Sequence, residues 1–276
     1  MAYKDILVYA DANRSAAARY DVAAALATRD DAHLAALHVA SLPYVPMDAG
    51  IAVPASIIEW QEQFQEQQTT AAKRAVDTAK KRTGREMEWR ATRGDVIDTV
   101  LLHSRYADVV VVSQSGAEKD ETTDADPLPE AVVMGAGRPA LIVPRYGKFA
   151  GVGQNILVAW NRTREAARAV HDALPLLTRA KAVTVMEVNP RGSETPHIAG
   201  ADIAKHLARH GVKADVSAAV AGDIEVGDMI LSRITDLGAD MLVMGAYGHS
   251  RLREFTFGGV TRHLLQHMTV PVFMSH

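Results

Sequence analysis

Short apolar runs rich in Val, Ile and Leu recur along the whole chain, and between them lie longer stretches in which apolar residues return every three or four positions. The first pattern is that of strands buried on both faces, the second that of amphipathic helices. The strands predicted are Ile6–Tyr9, Ala35–Val39, Glu86–Ala91, Val109–Ser113 and Ala140–Val143, then Ile156–Ala159, Ala182–Val188, Lys213–Ala219, Met241–Met244 and Val270–Met274. Helices are predicted over Arg14–Thr28, Ser56–Arg82 and Val96–Ser104, and again over Arg164–Thr178, His197–His210 and Val226–Leu237, with a last short one from Val260. Such alternation is the mark of an α/β fold with parallel sheets covered on both faces.

The pattern occurs twice. DILVYADANRSAAARYDVAAAL, from Asp5, matches NILVAWNRTREAARAVHDALPLL, from Asn155, in its apolar run and its amphipathic continuation. RGDVIDTVLLHSRYADVVVVSQSG, from Arg93, parallels AGDIEVGDMILSRITDLGADMLVMGAYG, from Ala221, and from Asp108 against Asp240 to Pro139 against Pro271 the copies run without a gap. Internal repetition resets the domain count. Two tandem domains are expected, 1–146 and 152–276, each a doubly wound five-stranded unit, joined where PRYGKFAGVG supplies one proline and three glycines. The first copy also carries a Pro-containing segment, Ser41 to Ala55, followed by the polar run EWQEQFQEQQ. That run reads as a solvated helix face, with a lid or partner surface as the alternative.

Candidate chemistry concentrates near the end of the chain. The strand Met241–Met244 breaks at Gly245 into a loop with Tyr247, Gly248, His249 and Arg251, which leads to Gly258-Gly259-Val260-Thr261, a helix and a V-P-V strand. Glycines permit close backbone approach, and the first turn of a helix offers amides without intrahelical partners. The amides of Gly258, Gly259, Val260 and Thr261, with the helix dipole and the Thr261 hydroxyl, form a candidate phosphate cradle that Gly248 would close.

Strand, glycine loop, helix and strand in this order resemble the nucleotide-binding motif of the universal stress protein family, strongly in the second half and more weakly in the first. Family members usually have Gly followed by Ser or Thr where this chain has Gly258-Gly259. The resemblance implies flavodoxin-like (Rossmann-like) domains with strand order 3-2-1-4-5, and a ligand at the point where strand order reverses. It implies adenine near Val188, ribose near Asn161, the base flanked by Gly222-Asp223-Ile224, and the phosphates of ATP, AMP or ADP, with or without magnesium, on the glycine motif. The family's usual strand-1 Asp is kept as Asp11 in the first half but is Asn161 in the second. An internal pseudo-dimer is also implied, with Ala140–Val143 facing Val270–Met274. A homodimer and a regulatory protein partner are further possibilities, and the role implied is the sensing of energy or stress status.

Bulk properties narrow the field. With 276 residues and 48% apolar content the chain fills sizeable cores. A net charge of −3 without a basic patch argues against nucleic acid. The absence of cysteine removes disulfides and thiolate chemistry. No leader and no apolar run of the roughly 20 residues needed to span a membrane is seen, so a cytoplasmic location is expected.

The gap-free alignment places Asp126-Pro127-Leu128-Pro129 opposite Gly258-Gly259-Val260-Thr261. Proline offers no N–H, and the run EKDETTDAD brings five acids against one lysine. Ser113 replaces the first glycine while Gly116 survives, so one nucleotide per chain is expected, in the second half. Arg251 and Arg253 are either phosphate partners or solvated loop residues. His263 with His267, and His206 with His210, have the i, i+4 spacing of metal ligands, but no HExxH accompanies them and a solvated face is the reading preferred. No Walker A, GxSxG elbow or catalytic triad order occurs, which favours binding over turnover. The alternatives are a slow ATPase or phosphotransferase, using Arg251 or Arg253 and Asp223 with Mg²⁺, and a nucleotide-free scaffold.

Overall fold

The computed structural model describes residues 2–42, 54–115, 127–149, 151–188, 200–220, 224–246 and 259–276. Each predicted strand forms: β1 Asp5–Tyr9, β2 His33–Ala40, β3 Glu88–Arg93, β4 Val109–Ser113 and β5 Ala140–Val143, then β6 Asn155–Trp160, β7 Ala182–Val188, β8 Asp215–Ala219, β9 Met241–Gly245 and β10 Val272–Ser275. The helices are α1 Ala16–Asp30, α2 Ala55–Thr83, α3 Val96–Ser104, α4 Leu128–Gly135, α5 Arg164–Asp172, α6 Leu174–Leu177, α7 Ala201–Arg209, α8 Val226–Asp236 and α9 Gly259–His267.

Within each half the order is 3-2-1-4-5, and the halves join in one ten-stranded sheet, β3-β2-β1-β4-β5-β10-β9-β6-β7-β8. The junction is the single antiparallel step among its pairings, with Val272 opposite Ile142, Phe273 opposite Leu141 and Met274 opposite Ala140. Both strands are fully buried four-residue runs, ALIV and VFMS. Either alone would leave an unpaired apolar edge, which mutual pairing removes. The two copies therefore form the implied pseudo-dimer as one continuous sheet, not as two separate ones.

Alternation across the sheet feeds two cores that run through both halves. Leu141 and Phe273 lie in one and Ile142, Val272 and Met274 in the other, each with residues of both copies around them. Polar bonds cross the same junction: Tyr3 Oη donates to Asp172 O at 2.7 Å, and Gln114 Nε2 to Leu265 O at 2.8 Å. Buried Asp30 meets Arg179 of the other half. The repeat also reuses one device. Asp108 accepts from the amides of Lys4 and Asp5 at 2.6 and 3.1 Å, and Asp240 accepts from Gly153 and Gln154 at 2.7 and 3.0 Å. Each carboxylate ties the start of a half's first strand to the start of its fourth.

Several boundaries differ from expectation. The stretch Arg164–Thr178 is two helices, because Pro175 has no N–H for a continuous ladder and instead opens α6. Helix α1 begins at Ala16, not Arg14, since Asp11 Oδ1 accepts from Asn13 N at 2.9 Å and holds a turn there. The last strand starts at Val272, past the donor-free Pro271. Strands β3 and β8 each begin two residues later than predicted, at Glu88 and Asp215, and α7 is described from Ala201, the first three positions of its predicted span, 197–199, lying outside the described residues. Helix α4 was not expected; Pro127 and Pro129 sit at its start, where a missing N–H costs nothing. Among the described residues no helix is long and apolar enough to cross a membrane.

Candidate functional site

Strand β6 pairs with β7 on one side and β9 on the other, so connections leave its carboxyl end in both directions and open a crevice there. Asn161 follows β6 at the crevice. Its Oδ1 accepts from Thr163 N at 3.2 Å and from Thr163 Oγ1 at 2.8 Å, which leaves the side-chain NH₂ to donate outward. Thr163 Oγ1 in turn accepts from Ala166 N at 3.2 Å and caps α5. A turn and a helix start are thus built from one asparagine and one threonine.

Gly245 ends β9 under the first turn of α5. A Cβ there would lie 2.3 Å from Ala166 N and 2.4 Å from the Glu165 carbonyl carbon, so only glycine allows the helix to pack on the strand end. Gly259 is different. It begins α9, is exposed, and a Cβ on it would meet nothing within 4 Å among the described residues. Val260 is exposed beside it, and Thr261, 5% exposed, turns into the helix packing, so its hydroxyl is less accessible than the amides before it. Val188 ends β7, half-buried, in register with Ala219 of β8. Gly222, Asp223, Tyr247, Gly248, His249, Arg251 and Gly258 lie outside the described residues, as do Gly116, Asp126 and Arg253.

Three charged residues at the crevice were not singled out in the sequence. Arg162 has a positive φ of 61° and reaches Glu187 of β7, Nε to Oε1 at 3.0 Å and Nη2 to Oε2 at 3.3 Å. This two-pronged pair bridges the ends of β6 and β7, next to Val188. Glu165 is buried in the first turn of α5 and bonds Arg164. Burial works against its charge, but the Arg164 bond, a backbone amide and Thr163 outweigh it and hold the carboxyl below its usual range. An acid one or two residues into a helix is a sequence signal that was available; the Arg162–Glu187 pair spans 25 positions and was not.

His263 of α9 is gripped from α8. Its Nε2 lies 2.7 Å from Asp228 Oδ1 and its Nδ1 3.6 Å from Glu225 Oε2, while its ring packs where Gly227 has no side chain. These three side chains come close enough to suggest a metal cluster. Each carboxylate lies nearest a different ring nitrogen, so the imidazole is gripped between α8 and α9. His267 Nδ1 bonds the His263 carbonyl at 2.9 Å.

Residues 153–276 match the Universal stress protein family. Across the whole chain, the fold is similar to a universal stress protein from Archaeoglobus fulgidus DSM 4304, at TM-score 0.69 and 17% identity, covering 98% of this chain and 97% of that one. It is also similar to a putative universal stress protein from Pseudomonas aeruginosa UCBPP-PA14, at TM-score 0.58 and 15% identity, covering 99% and 93%. No curated sequence matches the chain.

Proposed function

The carboxy-terminal half, residues 153–276, matches the universal stress protein family, and on that premise we propose that this half binds one adenine nucleotide, ATP or its ADP and AMP relatives. The protein acts as a nucleotide-responsive regulator whose occupancy reports energy or stress status. The observation that carries this reading is the start of α9: Gly259 is exposed, and among the described residues nothing lies where a side chain would be. Free amides at a helix start hold phosphate well. Asn161 keeps two N–H groups for a ribose hydroxyl, and Val188 supplies main-chain groups beside the Arg162–Glu187 pair for the base edge. In the first half the matching position is Pro127, which caps α4 and has no N–H to give.

Titration of the purified full chain with ATP, ADP and AMP by calorimetry tests the reading, with Gly259→Pro as the variant. Proline is tolerated at the first helical position, so the helix survives while one amide is lost. The expected result is one nucleotide per chain and an affinity about tenfold or more lower in the variant, as for one bond to a charged group. Equal binding by both proteins, or two nucleotides per chain, would overturn it.

A further inference from the structure

The first half is more than a copy with its phosphate cradle removed. Ile6 pairs with Val109 as Ile156 pairs with Met241, which makes Ser113 the counterpart of Gly245. Counting along the matched segments, Tyr9, Arg19 and Tyr20 stand where the second half has Ala159, Ala169 and Val170. These four larger residues touch one another. Arg19 Nη1 donates to Ser113 Oγ at 2.7 Å, and its guanidinium carbon lies 5.5 Å from the centre of the Tyr9 ring and 5.4 Å from that of Tyr20. In the second half α5 rests directly on Gly245; in the first, a serine side chain prevents that approach and the guanidinium fills the interval.

Arg19 is 1% exposed, yet among the described residues its Nε and Nη2 find no hydrogen-bond acceptor. Nη2 nevertheless has an ionic partner, Asp11 Oδ1 at 3.0 Å, so the donor left over is Nε. Burial disfavours the charge, and Asp11 with Tyr20 more than compensates, so the group stays a cation. A buried guanidinium N–H left without an acceptor is costly, and the Nε of Arg19 is such a group. Arg19 and Ser113 line a cavity of about 240 Å³ at the carboxyl ends of β1 and β4, with Asp11, Asn13, Arg14, Gln114 and Arg145 around it; the one carboxylate, Asp11, is set against three guanidinium groups.

We propose that this cavity binds a compact oxyanion, the size of a phosphate or small carboxylate, held by side chains and not by helix amides. The Ser113 oxygen accepts from Arg19, so its own proton is free to donate to a ligand; exposed Arg14 adds charge at the rim. The volume lies below the roughly 300 Å³ at which pockets begin to hold drug-sized ligands, which suits a compact anion. The acidic run 118–126 joins β4 to α4 and opposes long-range attraction of anions, so the site depends on short bonds to Arg19 and Ser113. Nothing in this assignment requires nucleotide in the second half.

The test is a titration of the ¹⁵N-labelled full chain with inorganic phosphate, followed through the arginine Nε–H resonances. Arg19→Lys identifies the Arg19 signal by removing it. That signal is expected to shift saturably in the wild type and unchanged in Gly259→Pro, which alters only the second half. Ser113→Ala keeps the Cβ spacing and is expected to weaken the response about tenfold or more. An Arg19 resonance that ignores phosphate, as it would if water alone filled the cavity, overturns the proposal, and so does an unchanged midpoint in Ser113→Ala.

Discussion

Gly245 and the amide nitrogen of Ala166 are so close that an added Cβ would lie 2.3 Å away, which makes strand β9 and helix α5 meet backbone to backbone. Gly245 is therefore fixed by packing, whatever else the motif asks of it, whereas Gly259 at the start of α9 meets no other described residue where its Cβ would be. Gly245→Ala is expected to cost about 1–3 kcal/mol or more, as overpacking does, without any nucleotide present. Gly259→Ala should change stability by a few tenths of a kcal/mol at most, as at an unconstrained helix end. Urea unfolding of both variants checks the contrast: a lowered midpoint at constant slope for the first and an unmoved midpoint for the second. Equal midpoints would mean that α5 is free to shift.

Phe273 offers a second test, because it is fully buried at the antiparallel junction and belongs to a core shared by both halves. Phe273→Ala should cost about 3–5 kcal/mol, the usual loss for a truncated core aromatic. The cooperativity matters more. Trp89 reports on the first half and Trp160 on the second. Single-tryptophan variants should unfold in coincident transitions in the wild-type background, as one two-state unit does. Separated transitions would show that the halves are independent domains that merely touch.

Much of this was legible in the residues because burial and chain punctuation are local. The apolar runs at 109–113 and 140–143 fell where strands form, since strands buried on both faces need continuous apolar residues. The repeat was visible in the match of Asp5 to Asn155 and of Asp108 to Asp240. Errors came where a single proline or Asx turn outweighs periodicity, as at Pro175 and Asp11. What stayed hidden in the site was pairwise and long-range. No spacing rule joins Arg162 to Glu187, or Arg19 to Ser113 94 positions away. The burial of Arg19 has no signature in its own helix, because it is set by Ser113 and two tyrosines packed around it.

Asp240 carries a third prediction. Its two oxygens accept from the amides of Gly153, Gln154 and Asn155 at 2.7 to 3.2 Å, and an asparagine can present only one of them as an acceptor. Asp240→Asn is expected to cost on the order of 1–3 kcal/mol through amides left without a partner. Amide hydrogen exchange should locate the damage: faster exchange at Gln154 and Asn155, with the Lys4 and Asp5 amides on Asp108 unaffected. Uniform acceleration across both halves would mean global loss of stability and not a local tie undone.

Alkaline pH should loosen the contact between halves at Tyr3. Burial pushes its phenol well above the ordinary value, and Asp30, Asp172 and Asp108 add to the shift against the opposing pull of Arg29. Its hydroxyl donates to the Asp172 carbonyl at 2.7 Å, a bond that exists only while the proton does. The unfolded chain releases that proton near pH 10, and the folded chain holds it to higher pH. Above about pH 10 the native state thus binds more protons than the unfolded one, so stability is whole below that point and falls as pH rises further. Tyr20 has a raised value for the same first reason, burial, and contributes with the same sign. Tyr3→Phe should lose about 0.5–1.5 kcal/mol at neutral pH with the bond to Asp172, and its stability should then decline less steeply above pH 10. Denaturation midpoints from pH 7 to 11 measure both effects, and parallel curves for the two proteins would show that Tyr3 does not titrate with unfolding.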